Sequence, residues 1–517
     1  MVIIDMYPAL EILLLATGAF TLPLIYKLFG RKASLIYTLL YSVLALILST
    51  QSFLRIYNSN EIIAYPIGGW SPPVGIVYVV DKFSGLLGIL VSTIMLLIII
   101  YSFNYIRPND REYLYYTLLL TVEAGMLGCI YSGDAFHLFV MLEVTSLSAY
   151  ALVAHMSDRK TALRASFKYA IYGGLATTIY FLSIVFLYGS LGTLTIGDAY
   201  LKLSNIMISG DHSLLWGAIV FAFLSLIAFM YKAAVFPLHF WLPDAHSEAP
   251  SSVSALLSGL VVNIGVYCFA RFTYTIFHGL PDKELYNAIL LFMGLAGALS
   301  ALIGSLMMLI QKDVKRIIAY STVMNMGYIV MGYSLGTLAG IIASTYHIIT
   351  HSIAKSLAFM SCGSLINKTG SRRVDDLIGV GRVYKKAGIP FAISLLTLAG
   401  VPPLGVFISE YLLVGSIIKS EAWLYLAFFI ASYISSTIVY LKLLYDICIK
   451  PFHGDRKLIT RDKEASILLV LIILSILCII TGLLSGLVLN KLIMPSSKDL
   501  WSYYNYIKTI KEILINI

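Results

Sequence analysis

Charged residues are scarce in this chain of 517 residues, since only 12% are Asp, Glu, Lys or Arg and 59% are hydrophobic. Soluble domains carry about 25% charged residues. The chain also has no polar stretch long enough to fold as a soluble domain. The scarcity excludes a soluble multidomain enzyme and predicts one polytopic membrane domain over residues 1–517.

Cysteine is also rare, and its spacing excludes several chemistries. The five cysteines form no CxxC pair, so the sequence indicates neither disulfides nor zinc or iron–sulfur ligation. The sequence also lacks a convincing glycine-rich phosphate loop, dinucleotide fingerprint, metal motif or nucleophile elbow. We therefore predict no cofactor, no metal and no redox centre in this chain.

Long apolar runs dominate what is present. Windows of about 20 apolar residues, the length that crosses a bilayer as a helix, predict an all-α protein with about 14 transmembrane helices. The predicted spans are 9–29, 33–55, 79–106, 113–131, 134–154, 163–189, 214–242, 251–277, 286–310, 313–335, 337–367, 388–418, 421–447 and 466–490.

Basic residues are distributed unevenly between alternate loops. About 22 Lys and Arg lie in or beside loops after odd-numbered spans, and about 10 lie in the other loops and the tail. Because cytoplasmic loops carry the excess, both termini are predicted on the outer face. The net charge of +9 is then mostly a cytoplasmic excess that faces anionic lipid, and no nucleic-acid partner is needed to explain it.

Four ionisable residues lie inside otherwise apolar spans: Glu143, Lys232, Lys355 and Glu410. A charge at the centre of a membrane helix costs roughly 3 kcal/mol, so such groups normally face one another or a wet cavity. His347 and His351 precede Lys355 at intervals of four, which places all three on one helix face. This pattern predicts an ion or proton path.

The seventh and twelfth spans are broken in a similar way. Pro237 and Pro243 follow Lys232, and Gly400, Pro402 and Pro403 precede Glu410. Proline and glycine remove helical hydrogen bonds and open the helix. If each break marks the fourth helix of a five-helix unit, the two units form an inverted repeat. The predicted segments are three N-terminal helices (1–106), two repeats (107–280 and 281–447), and a last helix with an interfacial tail (448–517).

Residues 68–445 carry motifs that resemble a known family. They are Gly68-Gly-Trp, Met141-Leu-Glu143, Pro237-Leu-His239-Phe-Trp-Leu-Pro-Asp244-Ala-His246, Asp313-Val-Lys-Arg-Ile-Ile-Ala-Tyr-Ser321, His347-Ile-Ile-Thr-His351-Ser-Ile-Ala-Lys355 and Gly400-Val-Pro-Pro-Leu-Gly405. The chain resembles the antiporter-like subunits shared by respiratory complex I, Mrp-type sodium/proton antiporters, and archaeal membrane-bound hydrogenase and sulfane-sulfur reductase complexes.

The resemblance implies a fourteen-helix subunit with two half-channels joined by a polar axis. On that reading Glu143 and Lys232 form a switch pair, and Lys355, His351 and His347 continue the axis to Glu410. Lys168 matches a family position and would compete with Lys232 for Glu143. The implied partners are other membrane subunits, including homologous ones, lipids, and a peripheral redox arm made of other chains in a prokaryotic, archaeal cell membrane.

The sequence departs from the family pattern at Asn263, where relatives place a lysine or sometimes a histidine. Asn263 cannot titrate, so either solvent bridges Lys232 and Lys355 there or the path is interrupted. His239 and His246 either line an access path or belong to a hydrated loop. Arg271 is interpreted as an anchor at the outer membrane boundary.

Three functions remain open from the sequence. The first is a proton- or sodium-translocating subunit without a catalytic redox site of its own, within a respiratory or antiporter complex. The second is a non-pumping structural or coupling subunit of such a complex. The third is an autonomous transporter of a small solute, which the absence of a polar substrate motif disfavours.

Overall fold

The computed structural model describes residues 5–106, 108, 111–156, 158–209, 212–453 and 465–515. Residue 107, at a predicted segment boundary, and residues 454–464 of the predicted last segment lie outside the described residues. Within them the chain is predominantly helical, with a single two-stranded sheet.

Twenty-one α-helices are described. They are α1 Tyr7–Ser59, α2 Lys82–Tyr105, α3 Glu112–Tyr131, α4 Ala135–Val153, α5 Lys160–Leu191, α6 Ile196–Ser209, α7 His212–Lys232, α8 Leu242–Glu248, α9 Ser251–Leu256, α10 Val262–Tyr274, α11 Lys283–Ile310, α12 Val314–Ser334, α13 Leu338–Thr369, α14 Val380–Val383, α15 Lys385–Leu398, α16 Gly405–Lys419, α17 Trp423–Leu443, α18 Ala465–Leu483, α19 Ser485–Val488, α20 Met494–Trp501 and α21 Tyr503–Ile515.

Ten of the described helical stretches are long and apolar enough to cross a membrane. The first of them, α1, is 53 residues long and contains two arms that meet at Gly30. Gly30 has φ +77° and ψ −174°, a backbone conformation outside the helical region that a residue with a Cβ rarely adopts. The chain therefore changes direction at Gly30, between the first two predicted spans.

The helices differ in how much of their surface is covered. The stretch Ser251–Gly279, which contains α9 and α10 joined by a π-helical segment, is wholly buried over its most apolar window. Helices α12 and α13 are also buried along most of their length, whereas α1, α5 and α17 expose many large apolar side chains. The molecule thus has a covered centre and an apolar periphery suited to lipid or to other subunits.

The sheet pairs β1 Ile63–Pro66 with β2 Val77–Val80 in antiparallel register, with Ile63 opposite Val80. Asp81 follows β2 and caps α2, since its carboxylate accepts the Ser84 amide at 2.8 Å. Tyr78 bridges to Ser132 just after α3. This hairpin therefore covers the ends of α1, α2 and α3 on one side of the helical domain.

Arg271 departs from its predicted role as a boundary anchor. Its guanidinium is 2% exposed and makes two hydrogen bonds of 2.8 Å to the Asp81 carboxylate. The ring of Tyr506, from α21, lies 4.9 Å from the guanidinium carbon. Packing of the tail over this ion pair buries a charge that the sequence analysis placed at the lipid boundary.

The tail packs on its own chain. Helix α20 contacts α2 and α21 contacts α6, and Ile510 is fully buried. The Ser496 hydroxyl donates to the Lys82 carbonyl at 3.0 Å, and the Lys82 amide donates to Asp499 at 3.2 Å. The predicted interfacial tail thus packs on the start of α2 and on the short helix α6.

Candidate functional site

The two predicted helix breaks are present, and each one exposes backbone groups in the middle of a long apolar segment. Helix α7 ends at Lys232 and α8 begins ten residues later at Leu242. Helix α15 ends at Leu398 and α16 begins at Gly405. The prolines inside both gaps lack an amide hydrogen, so neither helix can continue through them.

Lys232 is 7% exposed at the end of α7. Its Nζ donates to the Ser146 hydroxyl at 2.5 Å. Ser146 lies three residues after Glu143 on α4, so the ammonium and the half-buried Glu143 carboxylate face each other across about one helical turn. The predicted pair is therefore a neighbouring pair with a hydroxyl at the lysine rather than a direct ion pair.

Lys355 is fully buried on α13. Its Nζ donates to the Ile318 carbonyl at 2.9 Å and to the Ser321 hydroxyl, both on α12. Neutral oxygens compensate the ammonium only partly, because they supply dipoles and no opposite charge. The free energy of the charged lysine is therefore sensitive to a charge that is gained or lost nearby.

Hydrogen bonds lead from Lys355 towards Glu410 by way of Ser321, whose hydroxyl bonds Lys355 and whose carbonyl bonds Asn325. Asn325 donates from Nδ2 to the Ser321 carbonyl at 2.6 Å and faces His347 Nε2 with its Oδ1 at 2.9 Å. Because that Asn325 oxygen is an acceptor, His347 Nε2 carries the hydrogen. His347 Nδ1 lies 2.9 Å from the hydroxyl of Ser409, the residue before Glu410.

Two fully buried histidines have no hydrogen-bond partner for either ring nitrogen within the described chain. The His351 ring lies parallel to that of His347, with centroids 6.1 Å apart. The His246 ring stacks on Phe359 with a centroid distance of 4.9 Å. Buried polar groups usually have hydrogen-bond partners, so these two rings are exceptions within the described chain.

Glu410 is 4% exposed, and its Oε2 has no hydrogen-bond partner within the described part of the chain. It packs against the break before its own helix. Gly400 has φ +65°, and a Cβ there would lie 2.2 Å from Glu410 Oε2. Glycine is therefore favoured by the backbone conformation and by the close approach of the carboxylate.

Asn263 lies between the two halves. Its Nδ2 donates to the Gly259 carbonyl at 2.7 Å and to the hydroxyl of Ser352, the neighbour of His351, at 2.8 Å. Its Oδ1 is buried without a partner in the described chain, and the residue borders a small apolar cavity of about 10 Å³. The asparagine thus touches the helix of Lys355, while its Oδ1 makes no hydrogen bond within the described chain.

Lys168 does not reach Glu143 in this structure. Its Nζ donates to Asp244 Oδ2 at 2.7 Å, and Arg316 donates to the other oxygen of the same carboxylate at 2.9 Å. His239, which is half-buried nearby, packs its ring near Phe236 and Tyr320. The predicted accessory residues 168 and 239 therefore belong to a cluster around Asp244.

The sequence analysis missed four polar residues of this row. They are Ser146, Ser321, Asn325 and Ser409. Ser321 and Asn325 are four residues apart, as are His347 and His351, and that spacing on neighbouring helices was an available signal. Neutral polar side chains in apolar helices are usually satisfied by their own backbone, however, so spacing alone does not identify them.

Comparison with known proteins finds a family model and relatives that match most of this chain. Residues 132–435 match the family model described as NADH:quinone oxidoreductase/Mrp antiporter, transmembrane. NADH-quinone oxidoreductase subunit N of Desulforudis audaxviator is 30% identical over 442 residues, which cover 83% of this chain and 86% of that relative. A Na⁺/H⁺ antiporter subunit from Alkalihalophilus pseudofirmus is 29% identical over 82% of this chain and 83% of the relative.

A solved structure agrees with the whole architecture. One chain of the membrane-bound sulfane sulfur reductase, an archaeal respiratory membrane complex, superposes with a TM-score of 0.90. The two chains are 26% identical, and the match covers 98% of this chain and 100% of that one.

Proposed function

Because this chain belongs to the NADH:quinone oxidoreductase/Mrp antiporter membrane family, we propose that it translocates protons or sodium ions within a multisubunit membrane complex. The observation that carries the proposal is the hydrogen-bonded row from Lys355 through Asn325 and His347 to Ser409. Lys232 and Glu143 begin the same row in the first half, and Glu410 ends it.

Two matching breaks support the proposed internal repeat. The amide of Ala233 donates to the Phe229 carbonyl, and 166 residues later the amide of Ala399 donates to Leu395. Ala234 and Gly400, again 166 apart, both have positive φ. The same offset relates three further pairs of backbone bonds: Ala234 to Tyr231 and Gly400 to Thr397, Val235 to Met230 and Val401 to Leu396, and Leu238 to Val235 and Leu404 to Val401.

Matching bridges between helix ends point the same way. The Ala135 amide donates to the Leu194 carbonyl at 2.8 Å, and the Val314 amide donates to the Arg372 carbonyl at 3.0 Å. These bonds tie the start of the second helix of each proposed unit to the end of the third. Two units of five spans, 107–280 and 281–447, then enter the membrane from opposite faces because five is odd.

The proposal counts fourteen spans. The two arms of α1 count as two, the broken helices α7–α8 and α15–α16 and the joined α9 and α10 count as one each, and the other nine are α2, α3, α4, α5, α11, α12, α13, α17 and α18. The basic loops then lie in the cytoplasm and both termini on the outer face. Exposed apolar faces on α1, α5 and α17 suit contact with lipid and with homologous subunits. A peripheral redox arm of other chains would drive the ions, since this chain has no predicted redox site.

The row works by electrostatic coupling between its members. At roughly 7 Å and an effective dielectric near 20, a lysine and a carboxylate attract by about 2.4 kcal/mol. Moving or neutralising one partner therefore changes the proton or cation affinity of the other enough to load or release an ion. Lys232 and Lys355, each held only by neutral oxygens, are suited to respond to such changes.

One observation favours the alternative of a subunit that does not pump. Asn263 stands where a titratable group would link the halves, and the cavity that it borders is apolar and only about 10 Å³ in volume, the lower limit for one water molecule. If no water transmits protons there, the chain couples its neighbours without a path of its own.

Substitution at the first pair tests the proposal. In the assembled complex reconstituted into liposomes, Lys232→Ala and Glu143→Ala should each lower ion transport at least roughly tenfold. The exposed Lys442→Ala serves as the matched control and should keep the wild-type rate. Wild-type transport by both substituted complexes would reject translocation through this row and leave the structural role.

A further inference from the structure

A second group of buried oxygens lies outside the Lys/His row, where α1, α2 and α3 meet. Glu11 is fully buried on the first arm of α1. Its Oε1 accepts from the Ser49 hydroxyl and lies 3.4 Å from that of Ser92, and its Oε2 accepts from the Tyr131 hydroxyl at 3.3 Å. None of these four side chains carries a positive charge.

Glu123 is the second carboxylate of this group. It is fully buried on α3, two helical turns before Tyr131, and neither of its oxygens has a hydrogen-bond partner within the described chain. The Ser42 hydroxyl beside it is also buried and unpartnered. Glu11 is near enough for its charge to act on that of Glu123.

A hydroxyl-bearing face connects the two carboxylates to one end of the helices. Along the second arm of α1 every polar residue of the buried face is a serine or threonine, namely Ser34, Thr38, Ser42, Ser49 and Ser52. The face begins next to Arg31, whose guanidinium pairs with Glu112 at 2.7 Å. A seam of oxygen atoms thus leads from this ion pair past Glu123 to Glu11.

The group is separated from the Lys/His row by the body of α3. The other side of α3 carries Gly125 and Gly128, and it packs so closely on α4 that a Cβ at these positions would lie 2.5 Å from Thr145 and 2.6 Å from Met141. The close packing leaves no space for a solvent path between the helices there. The two polar regions are therefore separated at the contact between α3 and α4.

We propose that Glu11 and Glu123 form a second intramembrane site that binds a small monovalent cation. The physical reason is that two carboxylates without a basic partner cannot both stay charged and bare in a low-dielectric interior. Each must hold a proton or bind a hard cation through the oxygen ligands next to it. The hydroxyls of Ser49, Ser92 and Tyr131 lie next to Glu11, and that of Ser42 lies next to Glu123.

Carbodiimide labelling tests the site without depending on ion transport. Dicyclohexylcarbodiimide takes the proton of a neutral carboxyl while the carboxyl oxygen bonds to its central carbon, and an acyl shift to nitrogen leaves a stable adduct. In the full-length chain in its membrane, Glu11 and Glu123 should be labelled near neutral pH. Labelling should fall roughly tenfold for each pH unit above its midpoint.

Glu112, which forms an ion pair with Arg31, and the exposed Glu284 are internal controls that should stay unlabelled. Labelling is repeated on the chain after it is unfolded in dodecyl sulfate at acid pH, to check that every labelled peptide can be detected. If Glu11 and Glu123 are as unreactive in the folded chain as Glu112, the proposal is overturned.

Replacing choline with sodium at constant ionic strength identifies the ion. Protection by sodium means that the site holds sodium, and equal labelling in both salts means that it holds protons. Glu11→Gln should shift the labelling midpoint of Glu123, whereas the matched Glu284→Gln should not. If the pH dependence of Glu123 labelling is the same in Glu11→Gln as in the wild type, the two carboxyls are not one site. The adduct mass is measured directly, so failure of the proposed transport function would leave this test intact.

Discussion

The two proposed five-helix halves share one backbone break but place their charges on opposite sides of it. In the first half the lysine is the last residue before the break, at Lys232. In the second half the corresponding residue, 166 positions later, is Leu398, and the buried acid Glu410 follows the break instead. The residue that corresponds to Glu410 in the first half is Asp244, which two cations hold.

This difference shows how one helix break can be adapted to two tasks. Asp244 is about 30% exposed and tied to Lys168 and Arg316, so it fixes the position of α8. Glu410 is buried with an oxygen left free, so it can change its charge state. We infer that the same backbone opening serves anchoring in one half and ion handling in the other.

The largest expected effect separates these two acids. Glu410→Gln keeps the volume of the side chain but removes its ability to ionise, so ion transport by the reconstituted complex should fall roughly 100-fold. Asp244→Asn is the matched change at the corresponding position and should cost less than about tenfold, since the role of Asp244 is to hold helices together. If Asp244→Asn lost more transport than Glu410→Gln, Asp244 would be the acid that handles the ion and Glu410 the one that holds helices together.

A smaller effect is expected from a substitution that removes the hydrogen bonds of Asn325 in the second half. Asn325→Leu removes the contacts to His347 and Ser321 with little change in volume, and it should slow transport about tenfold, or about 1.4 kcal/mol of barrier. Ser146→Ala in the first half should slow it less than about threefold, because a water molecule can take the place of one hydroxyl. Equal effects of the two substitutions would contradict a special role for Asn325 in the second half.

The smallest expected effect concerns stability rather than transport. Gly400→Ala forces a Cβ into a left-handed conformation and against Glu410, which should cost about 1–3 kcal/mol of folding free energy and lower the melting temperature of the complex. The reciprocal Ala234→Gly should change stability by less than about 1 kcal/mol, since relief of strain and added chain entropy offset each other. A Gly400→Ala complex as stable as the wild type would show that the break can relax.

Much of this fold was predictable because the membrane imposes it. Apolar windows and the prolines after Lys232 and before Glu410 are local features, and hydrocarbon leaves few alternatives to helices. The charged members of the row were predictable for the same reason, since a charge in such a window is costly.

The contacts within the row could not be read from the sequence, because they depend on how helices are rotated against one another. Lys168 and Lys232 look equally able to reach Glu143 along the chain, yet packing of α8 beside α5 brings Asp244 to Lys168. Glu123 is hidden by the packing of α3 on α1 rather than by anything next to it in sequence. Side-chain partners across helices are a tertiary property.

The central claim is that Lys232 and Lys355 belong to one path, and a double-mutant cycle tests it most directly. Ion transport would be measured in the assembled complex for Lys232→Ala, Lys355→Ala and the double substitution. If a single path uses both residues in series, the double substitution should be about as slow as the slower single one. Losses that multiply would show that the two lysines act independently and would contradict the account.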